Sequence, residues 1–266
     1  TNKGNEGSFG DEGEEPTDEK YPVTRVSWYD CIIWCNAYTS MKNGKETECV
    51  YRKKENEPIV LKDSTSEDCV TVFADMNKKG FRLPTEAEWE YASRYQGEDA
   101  TNARRYGSVY LTNLNSASGA KKATGFEGYS LSSNETWEDL RDETARVALY
   151  AQWWNGTKYV DKIPKAAKCD RVNERAPNAL GIYGMSGNIW EWCFDLYDED
   201  AKISDNCYTT GNFVIDPKGA LHGKERVTKG GSWWGDADYT SCGLRFKDIP
   251  MARMKGVLGV RLACSM

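Results

Sequence analysis

The sequence predicts an irregular, loop-rich α+β domain. Two capped helices stand early in the chain, short strand-like stretches separated by glycine turns follow Asn178, and no β-α-β alternation joins them. Aromatic residues make up 12% of the chain, ten of them tryptophan, which suits either close packing in a fold short of regular structure or a contact surface. A chain of 266 residues can bury a sizeable core.

Residues 1–20, TNKGNEGSFGDEGEEPTDEK, hold Phe9 as their only large apolar side chain, too little apolar surface to offset the entropy of ordering. They read as a flexible acidic tether, with one domain spanning 21–266. The first helix lies in VSWYDCIIWCNAYTS, where Ser27 and Asp30 supply a capping box, Cys31, Trp34, Cys35 and Tyr38 share one helical stripe, and Asn43-Gly44 ends the run. An insertion near 45–79 contains strand-like stretches at 49–52, 59–62 and 70–73. The second helix follows in GFRLPTEAEWEYASRYQG. Thr85 and Glu88 form its capping box, Trp89, Ala92 and Tyr95 or Gln96 line one face, and Gly97 is expected to stop it. A second insertion, near 108–165, reads as a helix running into a hairpin at Asn155-Gly156. Later strands are expected at 226–233, 241–246 and 257–264.

Charge and composition remove several functional classes. The net charge of −6 and the absence of a basic cluster argue against nucleic acid as a partner. No apolar run approaches the roughly 18 residues a membrane-spanning helix needs. The chain starts at Thr1, without a start methionine or an apolar leader, which reads as a targeting segment already removed and is compatible with a membrane tether at the N-terminus. Nine cysteines leave at least one thiol unpaired within the chain. None forms a CxxC, and His222 is the only histidine, so a Cys/His zinc site is not expected. Most of these thiols are expected in the core; Cys49 and Cys69, which bracket an insertion, are the pair an oxidising compartment would join. His222, in LHGK, reads as an exposed loop residue with no motif around it.

Four blocks occur in order: PVTRVSWYDCIIWCNAYTS at 22–40, GFRLPTEAEWEYASR at 80–94, PNALGIYGMSGNIWEWCFDLY at 177–197, and RVTKGGSWW with GVRLA within 226–263. The series resembles the formylglycine-generating enzyme, or sulfatase-modifying factor, family. The resemblance implies a C-type-lectin-like fold held by buried tryptophans and arginine–carboxylate pairs, with Arg82, Glu86, Glu88, Glu90 and Glu191 in structural roles. Oxidase members of that family bind copper through two cysteines shortly after GGS; the matching positions here are Gly235 and Thr240, neither of which supplies the thiolate that soft Cu(I) requires. Cys242 comes two positions late. Another branch of the family holds iron through histidines, a set that His222 alone cannot form. No catalytic residue, metal or cofactor is therefore assigned. A weak calcium site near Glu191 is the remaining inorganic option, with Gly187, Ile189 and Glu191 as oxygen donors and Gly184 in place of the usual side-chain ligand.

The C-terminal stretch GGSWWGDADYTSCGLRFKDIPMARMKGVLGVRLA also resembles the hypervariable segments that bacterial and phage variable proteins, made by diversity-generating retroelements, display on the same fold. The positions matching the mutable ones hold Trp234, Gly235, Asp236, Asp238, Tyr239, Ser241, Leu244 and Phe246. Tyrosine and tryptophan give large contact area with few torsions to freeze, and aspartate, serine and glycine give adaptable polar contacts. The resemblance implies a non-catalytic ligand-binding protein, variable over about 233–255, carried as a lipoprotein on the extracellular face of a bacterial cell, monomeric, with a protein or other macromolecule as ligand. A copper oxidase of the formylglycine-generating type, or a degenerate relative of one, is the alternative. Trp233, directly after GGS, is expected in the core.

Overall fold

The computed structural model describes residues 20–65, 67–162, 168–198, 217 and 219–265. The tether assigned to 1–20 lies outside the described residues except for Lys20, and Cys207 also lies outside them.

Helix α1 (Trp28–Asn43) begins where the sequence places it: the Ser27 hydroxyl accepts from the Asp30 amide, and the Asp30 carboxylate accepts from the Ser27 amide. Its buried stripe differs from the expected one. Cys31 and Cys35 face the core, but they do so with Trp28, Ile32, Asn36 and Thr39, while Trp34 is 40% exposed and stacks on Tyr38 with ring centroids 4.7 Å apart. Trp28 takes the core position because its indole N–H reaches the Cys193 carbonyl at 2.9 Å. Trp34 instead walls an open cleft of about 600 Å³ together with Val23, Val260 and Leu262.

The first insertion forms β1 (Tyr51–Arg52) and β2 (Phe73–Ala74), paired antiparallel, with Val60 bridged to Arg52. Cys49 and Cys69 do not join. Both are buried free thiols, the first donating to the Asn36 carbonyl and the second to that of Asp63. Strand β3 (Phe81–Arg82) leads into helix α2 (Glu86–Arg94), whose Thr85–Glu88 capping box is formed. Glu88 also grips Arg82 through two 2.6 Å hydrogen bonds. The helix stops before the expected Gly97, because Tyr95 turns extended and bridges Leu111. A hairpin of β4 (Ala103–Tyr106) and β5 (Val109–Thr112) follows.

The second insertion contains helix α3 (Trp137–Val147), capped by Thr136 and Asp139, and then the hairpin of β6 (Gln152–Trp154) and β7 (Tyr159–Asp161). The central sheet has the order β10-β9-β8-β11, from β8 (Trp190–Tyr197), β9 (Glu225–Lys229), β10 (Phe246–Asp248) and β11 (Leu258–Gly259). Neighbours run antiparallel except β11 beside β8. Strand β12 (Ala263–Cys264) pairs with β3 and ties the end of the described chain to the start of α2.

Trp28, Ile32, Tyr51, Leu83, Trp192 and Leu258 fill the main core between α1 and the sheet. The Arg226 guanidinium lies 3.7 Å from the centre of the Trp28 ring and donates to the Phe194 carbonyl, so a buried cation is held by a π face and a backbone oxygen. A second cluster joins Ala117, Val147, Tyr150 and Trp153 to Ala237, and so seats the C-terminal segment on the second insertion.

One buried acid makes stability depend on pH. Asp195 accepts from the Glu86 amide at 2.8 Å, yet burial raises its pKa from 3.8 to about 7, with Glu86 adding to the rise and Arg245 opposing it. Because the folded-state pKa is the higher one, the native state binds the extra proton, and stability falls as pH rises from the unfolded value towards 7. Asp195→Asn keeps an acceptor for that amide. It is expected to raise the melting temperature at ~pH 8, by up to about 4 kcal/mol of stability, and to leave it nearly unchanged at ~pH 3. Thermal unfolding of both proteins across that range checks this, and an equal effect at both ends would refute it.

Candidate ligand-binding surface

The segment after β9 leaves the sheet through Gly230 and Gly231, and enters a single 3₁₀ turn, Ala237–Thr240, with Asp236 at its start. Main-chain hydrogen bonds fix it at several points. The Trp233 amide donates to Asn188, the Ala151 amide to the Gly235 carbonyl, the Cys242 amide to Ser116, and the Gly243 amide to Leu114. The Ser186 hydroxyl donates to the Thr240 carbonyl at 2.7 Å. An irregular backbone is thus satisfied by partners outside the segment.

On that support, the positions singled out in the sequence separate. Trp234 is 72% exposed, Phe246 51% and Tyr239 38%, so these three rings face solvent. Asp236, Asp238 and Leu244 are half-buried, as is Gly235, which lies beneath the Tyr239 ring. Ser241 is buried and does not belong to the exposed face: it follows the 3₁₀ turn directly, and its amide donates to the Asp238 carbonyl. Trp233 is half-buried and absent from the core, because the strand ends at Lys229 and the left-handed backbone at Gly230 and Gly231 breaks the alternation of strand faces before it. Its indole N–H donates to the Gly256 carbonyl at 2.7 Å, and its ring meets Trp234 edge-on.

Neighbours that the sequence reading left aside complete the surface. Trp190, on β8, stacks on Phe246 at 5.3 Å and meets Tyr239 at 6.2 Å. Burial raises the pKa of the Asp238 carboxyl, and the Tyr159 hydroxyl of the second insertion acts on that carboxyl to lower it; the Tyr159 ring meets Trp154 edge-on. The sequence places WEW in the framework and 108–165 in an insertion, and the polar and aromatic hairpin QWWNGTKY is the signal that points to this face.

The two positions that match the family's copper thiolates carry no sulfur. Thr240 is buried with its hydroxyl donating to Ala237, and Gly235 has no side chain. The Cys242 thiol is buried, contacts the Ser93 carbonyl, and is pushed up to about 11 by burial. Neither Gly235 nor Thr240 supplies a thiolate for copper. Glu191 is committed as well: one oxygen accepts from Arg261, and the other from both Arg261 and the Trp89 indole. The Asn188 side chain is engaged with the backbone of Asp170. Of the donors expected for calcium, Glu191 is thus held by an arginine clamp. His222 lies in an exposed loop.

The family model of the sulfatase-modifying factor enzyme 1-like domain matches residues 2–266. The chain belongs to this family. Chaperone protein LppX of Paenibacillus barcinonensis is 31% identical over 226 residues, 81% of this chain and 60% of its own. The formylglycine-generating enzyme of Thermomonospora curvata is 33% identical over 156 residues, 58% and 39% of the two chains. The chain thus spans 60% or less of the length of these curated relatives. Treponema denticola variable protein 1 superposes with a TM-score of 0.64 at 29% identity, covering 99% of this chain and 77% of that one. CarF superposes at 0.55 and 23% identity over 94% and 70%, a likeness of fold alone. The fold is the irregular C-type-lectin-like α+β fold of the formylglycine-generating type.

Proposed function

We propose that the chain is a non-catalytic ligand-binding protein whose segment at about 233–255 is a variable recognition surface, diversified by a retroelement and displayed as a lipoprotein on the outside of a bacterial cell. The observation that carries the reading is the 72% exposure of Trp234 beside Tyr239 and Phe246, on a backbone tied to Asn188, Ala151, Ser116 and Leu114 outside the segment as well as to itself. Large apolar rings left in water on a rigid support are what a partner can bury. The likeness to a variable protein of Treponema denticola and to a chaperone, together with glycine and threonine at the copper-thiolate positions, supports binding over oxidation.

The double variant Trp234→Ala/Tyr239→Ala is expected to keep its melting temperature within about 2 °C of the parent, since exposed side chains contribute little to folding. A loss several times larger would place these rings in the fold's own packing and overturn the reading. Purified protein is also expected to take up no stoichiometric Cu(I); uptake abolished by Cys242→Ser would revive the oxidase alternative. For diversification, the test is the coding DNA, where a flanking near-repeat differing at adenines is expected.

A further inference from the structure

We infer that the turn from Trp234 to Tyr239 recognises a basic side chain, an arginine or lysine presented by a partner polypeptide. This rests on the binding role proposed above and names the chemistry of the ligand.

Two features of the surface, taken together, point to that partner. The first is aromatic. Trp234, Tyr239 and Phe246 are exposed, and Trp190 links the last two through ring contacts. Such π faces attract a guanidinium or ammonium group. The second is charge. Asp236 opens the 3₁₀ turn and Asp238 lies within it, two residues apart, and neither forms an ion pair among the described residues. No arginine or lysine is among the groups that act on either carboxyl, and Arg245, Lys247 and Arg253 are committed to Glu86, Glu225 and Asp30. Asp238 Oδ1 is buried with no hydrogen-bond partner. Burial raises the pKa of both carboxyls, and for Asp236 the charge of Asp238 adds to the rise. A cation docked on the rings of this turn would relieve this repulsion. An organic cation fits better than a metal ion, because no group of three or more acidic, cysteine or histidine side chains that could ligate one occurs among the described residues. The planar donor fork of arginine suits the site best, since it can stack on an indole while bonding a carboxylate.

The test uses the full chain and fluorescence anisotropy with a labelled octapeptide of alternating arginine and glycine, against the matching glutamate–glycine peptide. The arginine peptide is expected to bind and the glutamate peptide not to. Asp236→Asn/Asp238→Asn and Trp234→Ala are each expected to weaken binding about tenfold or more. An unchanged melting temperature will show that the double variant is folded. If it is not, Asp236→Asn alone carries the test, as no hydrogen bond to its side chain is lost. Equal binding of the arginine peptide to parent and asparagine variants, or equal binding of the two peptides, overturns the inference. Peptides selected from a random display library separate it from the broader role. Neutral binders lost in Trp234→Ala would remove the charge preference and leave the binding surface standing, whereas no Trp234-dependent binder of any charge would remove both.

Discussion

Replacing Glu191 by alanine is expected to destabilise the protein by about 3–5 kcal/mol, the range for breaking a buried ion pair from one side. Glu191 sits on β8 with almost no solvent contact, and both carboxylate oxygens are used: Arg261 binds them at 2.7 and 2.8 Å, and the Trp89 indole adds a third bond at 2.8 Å. Alanine would strand a guanidinium and a buried indole N–H together, and the unmet hydrogen-bonding capacity, more than the lost attraction, sets the size of the effect. Arg261 keeps only its bond to the Tyr183 carbonyl. In a domain of this size the melting temperature should fall by roughly 10 °C or more. Glu191→Gln should recover part of the loss, because an amide oxygen can still accept from Trp89. A fall of under about 1 kcal/mol in the alanine variant would show that the clamp does not hold this part of the fold.

Gly187→Ala is expected to be comparably severe or to prevent folding. Gly187 has a φ of +69°, and a Cβ there would overlap the Leu149 carbonyl, with the Leu149 amide close behind. That crowding reflects a junction: the Gly187 amide donates to Gly230 at the end of β9, the next amide donates to Leu149, and the Asn188 carbonyl receives the Trp233 amide. No flexible side chain is available to yield, so the backbone of one of three segments must move. Gly181 provides the control. Its φ of +75° is equally left-handed, but a Cβ there meets nothing within 4 Å. Gly181→Ala should therefore cost only the conformational strain, about 1–2 kcal/mol. Similar unfolding midpoints for the two variants would mean that backbone strain, and not the close approach at Leu149, governs Gly187.

Both junctions lie in blocks that stand out in the sequence, yet what they do there was only partly legible. Helix starts were readable because a capping box is local: Ser27 with Asp30 and Thr85 with Glu88 need only three residues of spacing. The face that α1 buries was not, since Trp28 and Trp34 are equally apolar and only the Cys193 carbonyl, far along the chain, decides between them. Two-residue strands such as β1 and β3 carry no periodicity and exist through distant partners. In the candidate surface, the exposure of Trp234, Tyr239 and Phe246 was legible from an aromatic and polar run with no core pattern. Ser241 was misplaced because a 3₁₀ turn changes which side chains point inward, and Trp190 and Tyr159 were overlooked because their approach depends on tertiary packing.

Carbonyls and amides from the main chain of other segments help to pin residues 233–243, and Ala237 and Thr240 are the buried side chains at the two ends of the 3₁₀ turn. A lattice of this kind is indifferent to what the outward positions carry. Exchanging Trp234 or Tyr239 for almost any other residue should alter affinity without touching foldability, so a combinatorial library built on those positions would consist largely of well-behaved proteins.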